Sequence, residues 1–154
     1  MKVLIAIDGS NYGEKILNEV ESCEWPEKTE FKLLMVTAPC NLWESAKQFE
    51  ETSRIILDTR VHVFQKKMPS CKVSSQVLEG EAAKTIVDTA AEWHANWIVI
   101  GSQGESGPHK TGIGSVAAGV MTNASCSVQL IKVKNGIKSA REKDLHQRKT
   151  TEHV

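Results

Sequence analysis

This chain of 154 residues has no long apolar run, no paired-cysteine motif and no excess of either charge. Each absence closes off a class of protein. The stretch nearest the N-terminus, Val3-Leu-Ile-Ala-Ile7, is shorter than the ~7–15 apolar residues of a signal-peptide core. Nothing approaches the ~20 apolar residues of a membrane-crossing helix. The expectation is a cytoplasmic protein with no membrane partner. Cys23, Cys40, Cys71 and Cys126 are scattered, without the C-x-x-C spacing of a zinc or redox site. They read as reduced, mostly buried thiols. Lys and Arg number 19, and so do Asp and Glu, so the basic face that gathers a phosphate backbone is missing. Trp25, Trp43, Trp93 and Trp97 lie far apart and form no stacking platform for single strands. Nucleic acid is therefore not expected as a partner. His62, His94, His146 and His153 lack metal-ligand spacing, and no metal site is expected from the protein's own side chains.

What is present is an alternation. Residues 3–7 are continuously apolar and end in Asp8-Gly-Ser-Asn, which fits a central strand buried on both faces followed by a turn. Ser10 or Asn11 is placed to cap a helix in which Tyr12, Ile16, Leu17 and Val20 recur at helical spacing, with Trp25-Pro26 beyond its end. Residues 31–37 form a second apolar run, stopped by Pro39. A long helix is expected over about 42–68, turning Phe49, Ile56, Leu57, Val61, Phe64 and Met68 inward, with Pro69 closing it. Residues 72–78 alternate like a half-exposed edge strand. A helix follows over 81–94 with an apolar stripe of Ala83, Ile86, Val87, Ala90 and Ala91, then a strand at 97–100. A helix at about 115–123 and a strand at 128–133 complete the series.

The order β-α-β-α-β-α-β-α-β predicts an α/β fold, an open parallel sheet with helices on both faces. Residues 1–133 would form this one domain. Residues 134–154 carry six Lys/Arg against three Asp/Glu and few apolar side chains, so they read as a mobile, mildly basic tail, with a short amphipathic helix as the alternative.

The chemistry concentrates in Gly101-Ser-Gln-Gly104-Glu-Ser-Gly-Pro-His-Lys-Thr-Gly-Ile-Gly114-Ser115, a glycine-rich loop between a strand and a helix start. Glycines let backbone N–H groups approach an anion, and a helix N-terminus adds unpaired donors and partial positive charge. The loop is a candidate phosphate cradle. Ser115 reads as the helix N-cap; no His or Asp stands in a recognised arrangement to make it a nucleophile. His109 and Lys110, inside the loop, either reach a terminal phosphate or face water. Doubly wound sheets bind ligands beyond the carboxyl ends of their strands, where the strand order reverses. Asp8 and Gly101 to Gly104 both follow such ends, so they share a crevice if the first and fourth strands are neighbours. Asp8 suits a ligand role there, although capping a turn is its common alternative use.

Gly101-Ser-Gln-Gly104, nine residues and Gly114-Ser115 resemble the nucleotide signature of the universal stress protein family, as does the opening Val-Leu-Ile-Ala-Ile-Asp8-Gly-Ser10. Glu79-Gly-Glu-Ala-Ala-Lys-Thr-Ile86 and Asn123-Ala-Ser-Cys126 are similar to two further segments of it, and the resemblance covers about residues 1–133. It implies five parallel strands in the order 3-2-1-4-5, an adenine nucleotide α-hydrolase-like fold, and ATP or AMP as ligand, with or without Mg2+. It also implies a site. Ala6 and Asp8 would lie against base and ribose, and Val36 would offer backbone groups to the adenine edge. Ile100, Gly101, Gln103 and Gly104 would border the ribose and first phosphates. Gly114, Ser115, Val116 and Ala117 would hold the phosphates. In the family the last strand often pairs across a homodimer two-fold. This chain departs from the pattern at Glu105, where many members carry a basic residue, and at Ser127 and Gln129 near and within the last strand.

The function expected is a nucleotide-binding regulatory protein of the stress response. The alternatives are a slow ATP hydrolase, for which base, charge clamp and metal ligands would be needed, and a nucleotide-free interaction module on the same fold.

Overall fold

Four largely apolar runs and one alternating stretch become five parallel strands: β1 (Lys2–Ala6), β2 (Glu30–Thr37), β3 (Lys72–Glu79, the alternating one), β4 (Trp97–Gly101) and β5 (Ser127–Ile131). Between them run the helices α1 (Asn11–Glu21), α2 (Trp43–Lys67), α3 (Ala82–Glu92) and α4 (Ser115–Asn123). The structure is a computed structural model and describes residues 1–39, 43–104 and 112–132. Cys40, Glu105, His109, Lys110 and the expected tail at 134–154 lie outside the described residues.

The sheet order is β3-β2-β1-β4-β5, as the resemblance implies. The chain winds outward from β1 to β3, then returns to the far side of β1 for β4 and β5. The reversal therefore falls between β1 and β4, which pair directly, Val3 opposite Trp97 and Ala6 opposite Ile100. Helix α1 leaves β1 toward one face and α4 follows β4 on the other, which opens a crevice at the paired strand ends.

Burial explains the continuous apolar runs. Val3, Ile5 and Ile7 pack with Ile16, Leu17 and Val20 of α1 and Leu57 and Phe64 of α2. Leu4 and Ala6, pointing the other way, pack with Ile86 and Ala90 of α3 and Ala117 and Val120 of α4. A strand covered on both faces has no polar side to offer. Phe31 anchors the first face, meeting Phe64 and Trp25 edge to face at centroid distances of 5.3 and 5.4 Å. The second face is thinner: a Cβ on Gly119 of α4 would sit 2.8 Å from the Ala83 Cβ, so the two helices touch through small residues.

Three expectations need correction. Phe49 is not an inward residue of α2 but 66% exposed. Arg60 of the same helix already bonds the turn just past β1, and Phe49 lies roughly 16 Å farther along the axis at ~1.5 Å per residue, beyond the sheet it would have packed on. The thiols are not mostly buried: Cys23 is exposed and Cys71 and Cys126 half-buried. Cys23 follows the α1 C-cap Ser22 in a turn, and Cys126 precedes an edge strand, where little covers either. Ala91, read as part of the α3 stripe, is exposed.

Candidate functional site

The turn after β1 is held from three sides. Asp8 Oδ1 accepts from the Ser10 N–H at 3.1 Å and from the Ser10 hydroxyl at 2.5 Å. Ser10 is the α1 N-cap, its hydroxyl oxygen accepting from the Tyr12 N–H at 3.2 Å. Arg60 reaches over from α2 and donates Nη1 to the Asp8 carbonyl and Nη2 to the Ser10 carbonyl, each at 2.6 Å. Asp8 thus caps the turn, and the same residue lines the cleft.

Across the crevice, the glycine-rich loop is closed at its stem. Ser102 is buried, its N–H donating to the Ile131 carbonyl at 2.7 Å and its carbonyl accepting from the Gly114 N–H at 2.7 Å. Gln103 Nε2 donates to the Gly112 carbonyl at 3.1 Å. A Cβ on Gly104 would lie 3.2 Å from Asp8 Oδ2, a tight approach that marks how near the β1 and β4 loops come.

The N-cap of α4 is Gly114, not Ser115. Gly114 is extended (φ −63°, ψ 156°) and its carbonyl already accepts the first helical bond, from the Ala118 N–H at 2.9 Å, so Ser115 is the first residue inside the helix. The correction sharpens the chemistry. Gly114 has no side chain with which to cap the amides of the first turn, which an N-cap Ser would do. Neither its φ nor crowding requires glycine, because a Cβ would meet only ordinary contacts, the nearest the Ser102 carbonyl at 3.4 Å. What the missing side chain leaves open is the approach to the helix N-terminus.

These walls enclose a cleft of about 400 Å³, within the usual size of small-molecule sites of about 300–1,000 Å³. All eleven expected residues line it: Ala6, Asp8, Val36, Ile100, Gly101, Gln103, Gly104, Gly114, Ser115, Val116 and Ala117. Ile7, Tyr12, Ile16, Leu34, Ala82 and Ile86 line it too, and sequence reasoning missed them. The spacing of Tyr12 and Ile16 gave their helix face, and only the position of α1's first turns at the strand ends puts them in the cleft. The cleft has two chemistries. Ala6, Leu34, Val36, Ala82, Ile86 and Ile100 make an apolar slot on the face of α3 and α4. Asp8, Gln103, three glycines and the start of α4 make a polar margin. The resolved pKa shifts among the described residues lie elsewhere: partial burial raises the Cys126 thiol before β5, and Asp88 raises exposed Lys84 on α3.

A doubly wound parallel sheet with its cleft at the strand reversal, walled by a glycine-rich loop and a helix N-terminus, is the architecture of α/β proteins that take small ligands at strand ends. Within that class the chain belongs to the Universal stress protein family, whose profile matches residues 1–132. A relative, Universal stress protein MJ0531 of Methanocaldococcus jannaschii, is 39% identical over 61 residues, which is 40% of this chain and 36% of that protein. The match thus spans little more than a third of the relative's length. Among solved structures, a universal stress protein family protein of Arabidopsis thaliana, At3g01520, with AMP bound superimposes with a TM-score of 0.63 at 14% identity, covering 91% of this chain and 96% of that one. The universal stress protein of Archaeoglobus fulgidus in complex with dAMP superimposes at 0.56 with 23% identity, covering 87% and 98%. At such identities the likeness is one of fold.

Proposed function

We propose that the cleft binds an adenine nucleotide, ATP or AMP, and that the protein is a nucleotide-responsive regulatory module of the stress response. The observation that carries this is the juxtaposition of an apolar slot with a helix N-terminus whose N-cap, Gly114, has no capping side chain. A planar base suits the slot, and phosphate suits the amides of Ser115, Val116 and Ala117. The base would lie against Ala6 and Ile100, with the backbone of Val36 meeting its edge. Asp8 would accept from the ribose hydroxyls. Gly101, Gln103 and Gly104 would border the ribose and first phosphate. Asp8 is the one carboxylate among the described lining residues, so a magnesium ion accompanying ATP would be held mainly by phosphate oxygens and water. The AMP and dAMP held by the two solved relatives support the same class of ligand.

With this go the remaining parts of the reading: residues 1–133 as the nucleotide-binding unit, residues 134–154 as an appended polar tail, a cytoplasmic setting, and a homodimer joined through β5. Calorimetric titration with AMP, ATP and adenosine, with and without magnesium, tests the central claim. Heat and a thermal shift with AMP or ATP are expected. Neither signal at millimolar nucleotide would overturn it.

A further inference from the structure

We propose that Arg60 is a positioning residue for ribose recognition, its guanidinium fork fixing the turn after β1 so that Asp8 presents its carboxylate to the ribose hydroxyls. The proposal rests on the nucleotide reading of the cleft.

Arg60 sits on α2, a helix with no residue among the described residues that line the cleft. An arginine on an outer helix usually keeps its charge in water. This one is half-buried and directs both terminal nitrogens at carbonyl oxygens of the turn, at 2.6 Å each. Such short bonds from a charged donor are among the stronger ones. The opposite wall is shaped to receive it. Gly13, buried in the first turn of α1, leaves a notch there: a methyl group on it would overlap Arg60 Nη1 and come within 2.9 Å of the Asp8 carbonyl oxygen. Glycine is a poor helix residue by about 1 kcal/mol relative to alanine, and here the space it frees is filled by the guanidinium.

The consequence runs through Ser10. Arg60 holds the Ser10 carbonyl, and the N–H and hydroxyl of the same residue hold Asp8 Oδ1. The carboxylate is thereby oriented with Oδ2 toward the Gly104 side of the crevice. A lysine can donate to a carbonyl but cannot bridge the two with a planar fork. Losing the fork frees the turn to relax, and a carboxylate displaced by even a fraction of an ångström loses the geometry that a vicinal diol requires.

The test separates this from a role in stability alone. Full-length wild type, Arg60→Met and Arg60→Lys are titrated with AMP and with 2′,3′-dideoxyadenosine monophosphate, and their melting is recorded. Wild type is expected to prefer AMP. Both variants are expected to lose about tenfold or more in AMP affinity, the scale of one hydrogen bond to a charged acceptor, while dideoxy affinity stays within about twofold and the preference collapses. Should Arg60→Met show no cooperative melt, Gly13→Ala, which pushes the guanidinium aside, is read in its place. An unchanged preference, or equal loss for both nucleotides, overturns the proposal. Wild type binding AMP with no preference over the dideoxy form overturns it and leaves the nucleotide reading standing; wild type binding neither overturns both.

Discussion

Gly114→Asp should make this protein more stable and unable to hold a phosphate. The backbone at Gly114 is open to any residue, and a Cβ there meets the Ser102 carbonyl oxygen at 3.4 Å and Gln103 Cα at 3.6 Å, both ordinary contacts. An aspartate in the N-cap position accepts from the first-turn amides. Relative to glycine that is worth a few tenths of a kcal/mol, and the carboxylate's charge at the helix N-terminus adds about 0.3–1 kcal/mol. A gain near 0.5–1 kcal/mol raises the melting temperature of a domain this size by roughly 1–4 °C. The same carboxylate occupies the donors proposed for phosphate and repels it. One like-charge pair at 4 Å costs about 4 kcal/mol at an effective dielectric of 20, about a thousandfold in dissociation constant. Adenosine, with no phosphate, should bind as it does to wild type. Calorimetry with AMP and adenosine beside a thermal melt reads all three quantities. AMP affinity within tenfold of wild type in a folded, stabilised variant would refute the placement of phosphate at α4.

Three further substitutions test the fold. Phe64, fully buried, and Phe49, 66% exposed, lie on the same helix; Phe64→Ala should cost about 3–5 kcal/mol and Phe49→Ala under about 0.5 kcal/mol in urea denaturation, and equal costs would show that α2 does not overhang the sheet. His94, just past the C-cap of α3, has φ of 56° and is exposed; His94→Gly should stabilise by about 1 kcal/mol by relieving a left-handed conformation, and a lower melting temperature would refute that account.

The strand series and the crevice were legible because both depend on local pattern. Continuous apolar runs announce strands covered on both sides, and residues next after such runs must lie at strand ends, which is how Asp8 and Gly101 to Gly104 could be placed without coordinates. Three features were not legible, each for a different reason. Gly114 and Ser115 are both acceptable caps, so a one-residue choice rested on which carbonyl accepts the first helical bond. Phe49 follows the right period, but periodicity reports the face of a helix and not how far the helix runs past its partner. Arg60 lies 52 residues from Asp8, and no local pattern distinguishes it from Arg54, which makes an exposed pair with Glu50.

The edge strand β5 gives the proposed homodimer a test that leaves the cleft intact. Parallel pairing sends the main-chain groups of alternate residues to opposite sides. The Ser127 N–H donates to the Asn96 carbonyl at 3.3 Å and the Ser102 N–H to the Ile131 carbonyl at 2.7 Å, which fixes the phase. Ser127, Gln129 and Ile131 direct their N–H and C=O groups at β4, while Val128 and Leu130 direct theirs outward. Gln129, the polar residue in the middle of this strand, therefore spends its backbone inside the sheet, and its side chain projects from a face and not along the edge. It does not obstruct pairing with a second copy. Proline at 128 removes an outward N–H and roughly preserves the bulk of a valine that packs against the second face. Proline at 129 removes a donor from the β4 ladder. Size-exclusion chromatography with light scattering should read two chains for wild type and one for Val128→Pro, with AMP affinity retained because the cleft lies between β1 and β4. Gln129→Pro should instead melt several degrees lower. A dimer that survives Val128→Pro would mean that the two chains meet through another surface, and a monomeric wild type would remove the dimer altogether.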